Sequence, residues 1–249
     1  MSLEKLIRSR WENSSHGYSE VVDSELLTAE KEYWMDFLLE SLPEDKNIKI
    51  LDIGCGPGFF ATLLGEKGYK VTGIDVSINM VKEAQIKTQN LGIEADFKVM
   101  DCHNLEFEDE HFDIIICRNV VWTLYDPEKA YKEWERCLKS KGKMLVFDAN
   151  WMLANFDQEL RKQKENDEAE YQKLYGELEN SCTKKELNDS LDQKAVLARV
   201  LRPDWDEKVL SGLGLKVESD PMVYKKLWGK KRKLRYSTSP LFLVRAYKE

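Results

Sequence analysis

Residues 48–75 read IKILDIGCGPGFFATLLGEKGYKVTGID. Ile48, Ile50, Leu51 and Ile53 form a short apolar run rich in β-branched side chains, the pattern of a buried parallel strand. The run passes into Asp52-x-Gly54-x-Gly56-x-Gly58 and then into a helical pattern from about Phe59 to Lys67, with Gly68 at its stop. A second strand over 70–74 follows and ends on Asp75. This order is one βαβ unit. Its first turn is stripped of side chains, so a ligand can approach the backbone amides at the start of the helix. Asp75, at the end of the next strand, is placed to accept hydrogen bonds from a ribose diol.

The spacing of the glycines narrows the ligand. A dinucleotide fingerprint G-x-G-x-x-G would require glycine at position 59, where the chain has Phe59. The spacing here is G-x-G-x-G, preceded by Asp52, with an acid about 20 residues beyond it. This combination resembles the first motif of the class I S-adenosylmethionine-dependent methyltransferases, and within them the ubiquinone/menaquinone-biosynthesis-like small-molecule group. The resemblance implies S-adenosylmethionine as cofactor. It implies a Rossmann-like seven-stranded, mostly parallel sheet with an antiparallel terminal strand and helices on both faces. It places Asp52, Gly54, Cys55, Gly56 and Gly58 in the cofactor cradle, with Asp75, Val76 and Met80 beside them.

Outward from this unit the chain continues the α/β alternation. Ser77 is a candidate N-cap for a helix presenting Val81, Ala84, Thr88 and Leu91, closed by Gly92. A third strand over 95–100 ends at Asp101. By the resemblance, Asp101 binds the exocyclic amine of adenine and the amide of Cys102 meets a ring nitrogen; a cap on the following turn is the other reading of Asp101. The fourth strand, Phe112 to Cys117, is the most apolar run of the chain. Arg118, Asn119 and Trp122 follow it, at the carboxyl edge where open α/β sheets bind ligands. Arg118 and Asn119 are assigned to the cofactor and Trp122 to the substrate pocket. This loop lacks the Asn/Asp-Pro-Pro-aromatic motif of nucleobase-amine methyltransferases and the nucleophilic cysteine of cytosine-C5 enzymes. Asp126-Pro127 opens a helix facing inward with Ala130, Trp134, Cys137 and Leu138. After the turn Lys139-Ser-Lys-Gly142, strand five runs to Asp148, a second substrate-pocket candidate.

The flanks are helical. Residues 1–46 form an N-terminal lid segment, with Leu26, Ala29, Glu30, Tyr33, Trp34, Phe37 and Leu38 on one helical face and Pro43 ending it. Trp11 to Tyr18 precedes that helix and is broken by Gly17. In the resembling enzymes such a segment closes over the cofactor, and Tyr18 is the candidate contact; packing of Trp11 and Tyr18 onto the domain is the other reading. Residues 47–249 form the methyltransferase domain, with a helical insertion at about 150–203. The insertion's stripe of Tyr171, Leu174, Tyr175 and Leu178 would dock it as a substrate roof or leave it as a solvated arm. A last helix from Pro203 is followed by strands at 215–219 and 240–247.

Composition sets the remaining bounds. Of 249 residues, 42% are hydrophobic and 33% charged, with a net charge of −7, which argues against a polyanionic partner. The run 225–235 carries seven Lys or Arg with Trp228 inside it and Tyr236 beside it, an RNA-binding pattern or a solvated loop. No apolar run approaches the ~20 residues of a membrane helix, and the first residues lack a signal peptide's apolar core, so a cytoplasmic protein is expected. Five scattered cysteines, Cys55, Cys102, Cys117, Cys137 and Cys182, read as reduced thiols, and no metal site is expected from the three histidines. No dedicated catalytic residue stands out among His16, His103, Asp148 and Tyr18, and oligomeric state carries no signal. The expected function is methyl transfer to a small molecule. Its alternatives are an RNA or protein methyltransferase, a nicotinamide-dependent oxidoreductase disfavoured by Phe59, and a non-catalytic scaffold.

Overall fold

Alternation along the central strands sorts the core into two halves. Ile50, Ile114, Ile116, Leu145, Phe147 and Leu243 point to one face of the sheet, and Leu51, Ile53, Ile115, Cys117, Val146 and Val244 to the other. Strands apolar on both faces need helices on both, which is the doubly covered arrangement expected of parallel sheets. The computed structural model describes residues 1–176 and 185–249. Within them the elements run α1 Leu3–Leu26, α2 Glu30–Ser41, β1 Ile50–Ile53, α3 Phe59–Gly65, β2 Val71–Asp75, α4 Ile78–Asn90, β3 Ala95–Val99 and β4 Phe112–Arg118. They continue with α5 Pro127–Cys137, β5 Leu138–Asp148, α6 Gln158–Tyr175, α7 Lys185–Lys194, α8 Asp204–Gly212, β6 Lys216–Asp220, α9 Tyr224–Leu227, α10 Lys230–Arg235 and β7 Phe242–Tyr247.

The sheet has seven strands among the described residues, in the order β3-β2-β1-β4-β5-β7-β6. β7, inserted between β5 and β6, is antiparallel to both, and every other pair is parallel. The strand order reverses between β1 and β4, so the carboxyl ends of β1, β2 and β4 open onto a common crevice. On one face Trp34 of α2 packs edge-on against Phe59, Phe60 and Phe147, at 5.4, 5.7 and 4.9 Å between ring centroids. α5 and α8 cover the other face through Tyr131, Trp134 and Leu210, all fully buried.

Several local expectations shift. α1 is one continuous helix through Gly17, not a segment broken there, and Leu26 belongs to it rather than to α2. A mid-helix glycine costs about 1 kcal/mol, and tertiary contacts offset it. Glu12 of α1 accepts the Ile78 and Asn79 N–H groups at the start of α4, at 2.9 and 3.3 Å. Leu91, expected on the buried face of α4, is exposed. β5 begins at Leu138, but its pairing jumps from Phe112–Leu138 to Ile114–Lys143. The expected turn 139–142 therefore survives as a bulge, with Lys141 at φ 63°.

The insertion differs most. Of its stripe, Tyr171 is buried, Leu174 and Tyr175 are exposed, and Leu178 lies outside the described residues. α6 docks on α10 through polar contacts, Arg235 to Glu168 at 2.8 Å and Ser237 to Asp167. α7 packs Leu191 against Leu6, Ile7 and Trp122, so the insertion braces α1. Cys55, Cys102, Cys117 and Cys137 are free thiols, and Cys182 lies outside the described residues. No helix among the described residues is long and apolar enough to cross a membrane.

Candidate functional site

A cleft opens at the carboxyl edge of β1, β2, β3 and β4 and encloses about 910 Å³, open solvent at its mouth included. β1 delivers Asp52, Gly54, Cys55 and Gly56 to its wall, β2 delivers Asp75 and Val76, and α4 adds Met80. Asp101 and Cys102 enter after β3, and Arg118 and Asn119 after β4. Gly58 stands just behind the wall as the N-cap of α3, at φ 86°. The glycine turn needs its composition. Gly54 is at φ 62°, and a Cβ there would lie 2.5 Å from Val120 Cγ2. Gly56, at φ 51°, presents its α-carbon to the Tyr18 ring, which a Cβ would meet at 3.7 Å.

Asp75 ties this turn to β2. Its Oδ2 accepts the Gly56 N–H at 3.0 Å and its Oδ1 the Ser77 N–H at 2.8 Å. Burial nevertheless raises its pKa to about 6, because the two amides only partly replace water. Burial also pushes Asp52 well above the usual carboxylate range, with Arg118 opposing and Asp75 adding to the rise. Asp101 goes the other way. Although burial opposes ionisation, hydrogen bonds from His103 (2.6 Å to Nδ1) and Tyr125 (2.7 Å) hold its pKa well below the usual range. Asp101 also caps its own turn through the His103 N–H at 3.0 Å, so that reading of the residue holds in the free protein. Three oxygens on the wall are buried with no partner: Asp52 Oδ2, Asn119 Oδ1 and Thr123 Oγ1. Asn119 adopts φ 60°, a left-handed conformation that asparagine tolerates better than most residues.

One face of α1 forms a further wall of the cleft. Glu4, Ile7, Trp11, Tyr18 and Val22 recur at spacings of three, four and seven and line the cleft. Trp11 meets Tyr18 edge-on at 5.8 Å, so packing and lining are the same role for this pair. Packing is the reading the sequence favours for Trp11; its seven-residue offset from Tyr18 is the signal that both share the pocket face. His103, named among the titratable candidates, does line the cleft, whereas the sequence reading missed Thr123, Leu124 and Tyr125. They sit in irregular turns, where no periodicity reports which way a side chain points.

Two expected pocket residues do not line this cleft. Asp148 is completely buried, and its carboxylate is spent on the Ala149 and Trp122 N–H groups, Trp151 Nε1 and Arg202 at 2.7 Å. It belongs to a structural network with Arg202, Asp206 and Tyr131. Trp122 is turned away, with its Nε1 donating to the Asn119 carbonyl at 3.0 Å and its ring against Trp11. Asp101, Cys102 and His103 gather at metal-ligand spacing. Both imidazole nitrogens of His103 are committed, one to Asp101 and the other to the Asp126 N–H at 3.3 Å. His16 lies on the outer face of α1, highly exposed beside Glu20 and Glu83.

The basic run is not a solvated loop. It folds into α9 and α10 with Leu227 and Trp228 buried between them. Arg232 reaches inward to Glu25 (3.3 Å) and Glu30 (2.7 Å), and Glu25 also pairs with Arg118 at 2.8 Å. The guanidinium of Arg118 lies 3.6 Å from the Phe59 ring centroid. These charges tie α1 and α2 to α10 and the sheet edge.

A family profile described as a methyltransferase domain matches residues 44–202. A sterol 4-C-methyltransferase of Caenorhabditis elegans is 33% identical over 113 residues, 45% of this chain and 34% of that protein. A ubiquinone biosynthesis O-methyltransferase of Xylella fastidiosa is 28% identical over 123 residues, 49% of this chain and 50% of that protein. The chain thus matches half or less of the length of these curated relatives. Among solved structures, a Haemonchus contortus phosphoethanolamine N-methyltransferase, in complex with phosphomonomethylethanolamine and S-adenosylhomocysteine, superposes with a TM-score of 0.65. It does so at 16% identity, over all of this chain and 60% of that one, a likeness of fold.

Proposed function

The chain belongs to the methyltransferase-domain family, and from that premise we propose that it is a class I S-adenosylmethionine-dependent enzyme that methylates a small-molecule acceptor in the cytoplasm. The observation that carries the reading is the set of unpartnered buried oxygens in the cleft. Asp52 Oδ2, Asn119 Oδ1 and Thr123 Oγ1 are acceptors without donors. A buried acceptor left unsatisfied costs about 1–3 kcal/mol. S-adenosylmethionine offers the missing donors in an ammonium and a ribose diol, so the residues present fit it.

The cofactor supplies a methyl group already activated on a sulfonium. The chain's own residues bind, orient and exclude water. Asp75 holds the ribose hydroxyls, and Asp52 and Asn119 hold the amino end. Asp101 and the Cys102 amide face the adenine, with Val76 and Met80 as apolar neighbours. Trp11 and Tyr18 close the cleft from α1, and their rings favour a positive charge beneath them. Positioning of this kind supplies several kcal/mol of the barrier, so no dedicated base is required. Calorimetry with S-adenosylmethionine and NAD, followed by transfer from labelled cofactor into a metabolite extract and into total RNA, tests the proposal. Binding of S-adenosylmethionine but not NAD, with label entering the metabolites, is the expected result; label confined to RNA would overturn it.

A further inference from the structure

A second chamber of about 430 Å³, open solvent at its mouth included, adjoins the cleft, and Tyr18, Val22, Arg118 and Asn119 line both. Its far wall is aromatic. Trp151 meets Tyr236 edge-on at 5.4 Å, and Tyr236 meets Trp228 at 5.7 Å. Such an arrangement leaves flat faces and ring edges for a flat guest. A nine-tenths-buried charge pair stands in the wall between the two cavities: the Arg118 side chain is 8% exposed and that of Glu25 1%.

The polar capacity left over in this wall selects the sign of the guest. Glu25 is the carboxylate that lines the chamber, and both its oxygens are already taken, Oε1 by Arg118 and Oε2 by Arg232. An ammonium would have to displace a guanidinium to reach it. Arg118 spends Nη1 on Glu25, and its other donors make no hydrogen bond among the described residues. The Tyr18 hydroxyl makes none either. Apart from the Asn119 Oδ1 acceptor, assigned above to the cofactor's amino end, the unspent charged group is the Arg118 donor set, and an arginine fork matches a carboxylate or other anionic oxygen. Asp148, which might have supplied a competing negative charge, is neutralised behind Trp151 by Arg202.

We propose that this chamber is the acceptor site and that it selects a flat aromatic molecule carrying an ionised oxygen, a carboxylate or phenolate, set against Arg118 where the chamber opens into the cleft. The ligand class follows from the chamber alone, whereas its role as acceptor rests on the methyl-transfer reading above. Cofactor and guest meet at the shared wall, so the oxygen held by Arg118 is the atom nearest the donor cleft.

The test is calorimetry on the full chain with three probes: 2-naphthoate, 2-naphthylmethylammonium and cyclohexanecarboxylate. Naphthoate should bind at least about tenfold tighter than either of the others, which lack the charge or the flat ring. It should also quench the fluorescence of the chamber tryptophans. R118Q should lose about tenfold in naphthoate affinity and leave the ammonium probe unchanged. The wild-type comparison stands even where R118Q fails to fold. Equal or tighter binding of the ammonium, or of the cyclohexane acid, overturns the proposal. S-adenosylmethionine titrated separately distinguishes the two readings. Naphthoate selectivity without cofactor binding would overturn the methyl-transfer reading and the acceptor role while keeping the ligand class. Cofactor binding without naphthoate selectivity overturns the chamber proposal alone.

Discussion

Asp75 carries the sharpest expectations at the scale of single residues. Burial raises its pKa from 3.8 to about 6 in the folded chain. The folded state therefore holds this proton more tightly than the unfolded state. The group's contribution to stability is full below about pH 4 and is lost as pH rises through about 6. Binding has the opposite sign, because ribose hydroxyls donate to the ionised carboxylate. Affinity for S-adenosylmethionine should fall by up to about tenfold per unit as pH drops below 6. Asp75→Asn should flatten that dependence and cost about 1–3 kcal/mol at pH 7.5. A calorimetric titration that finds no pH dependence in the wild type would remove Asp75 from the site. Gly54 and Gly56 separate stability from binding. Gly54→Ala forces a Cβ to 2.5 Å from Val120 and should destabilise by roughly 1–3 kcal/mol. Gly56→Ala meets Tyr18 at an ordinary 3.7 Å and should cost less in urea melts while still narrowing the cleft.

The element that matters most is α1. It meets the start of α4 through Glu12, whose carboxylate accepts two amides at the first turn of that helix, while Asp23 pairs with Lys87 further along α4. Glu12→Ala removes a cap contributed from outside the helix it caps, and should cost about 0.5–2 kcal/mol. Limited proteolysis should then cut within α1 before any other helix; unchanged protection would mean that the remaining contacts of Asp23 with Lys87, Trp11 with Tyr18 and the Leu191 cluster hold α1 without Glu12. At its other end α1 carries Glu25, which burial pushes toward the neutral form but which Arg118 and Arg232 keep ionised, with a lowered pKa. Removing one partner of a buried ion pair typically costs about 3–5 kcal/mol. Glu25→Gln should therefore loosen the lid far more than Glu12→Ala, as a larger drop in Tm.

At the scale of the whole molecule, the question is what the surface attracts. Arg232 and Arg235 point inward to Glu25, Glu30 and Glu168, leaving Lys225, Lys226, Lys230 and Lys231 exposed. A phosphate backbone on those lysines would weaken with salt at a log–log slope near −0.7 per contact. Replacing the four by Ser should leave turnover on the true substrate within a few-fold and reveal no salt-steep binding of tRNA lost from wild type. A slope of several units in wild type, absent from the variant, would favour the RNA reading instead.

Local chemistry was legible in the chain itself. The β-branched run of β1, the glycine spacing and the acid at 75 are short-range features, each with a backbone cause, and they specified the βαβ unit and the crevice at its edge. Asp148 was legible as the end of a strand, yet its role depended on Arg202, 54 residues away, which no local pattern announces. Gly17 was read as a break because propensity is local, whereas α4 and α7 hold that helix together from a distance. The basic run showed its charge but not its direction. Only the tertiary structure brought Glu25 and Glu30 within reach of Arg232, where a buried charge without its partner would be costly, and so turned part of an apparent surface patch into the wall of a chamber.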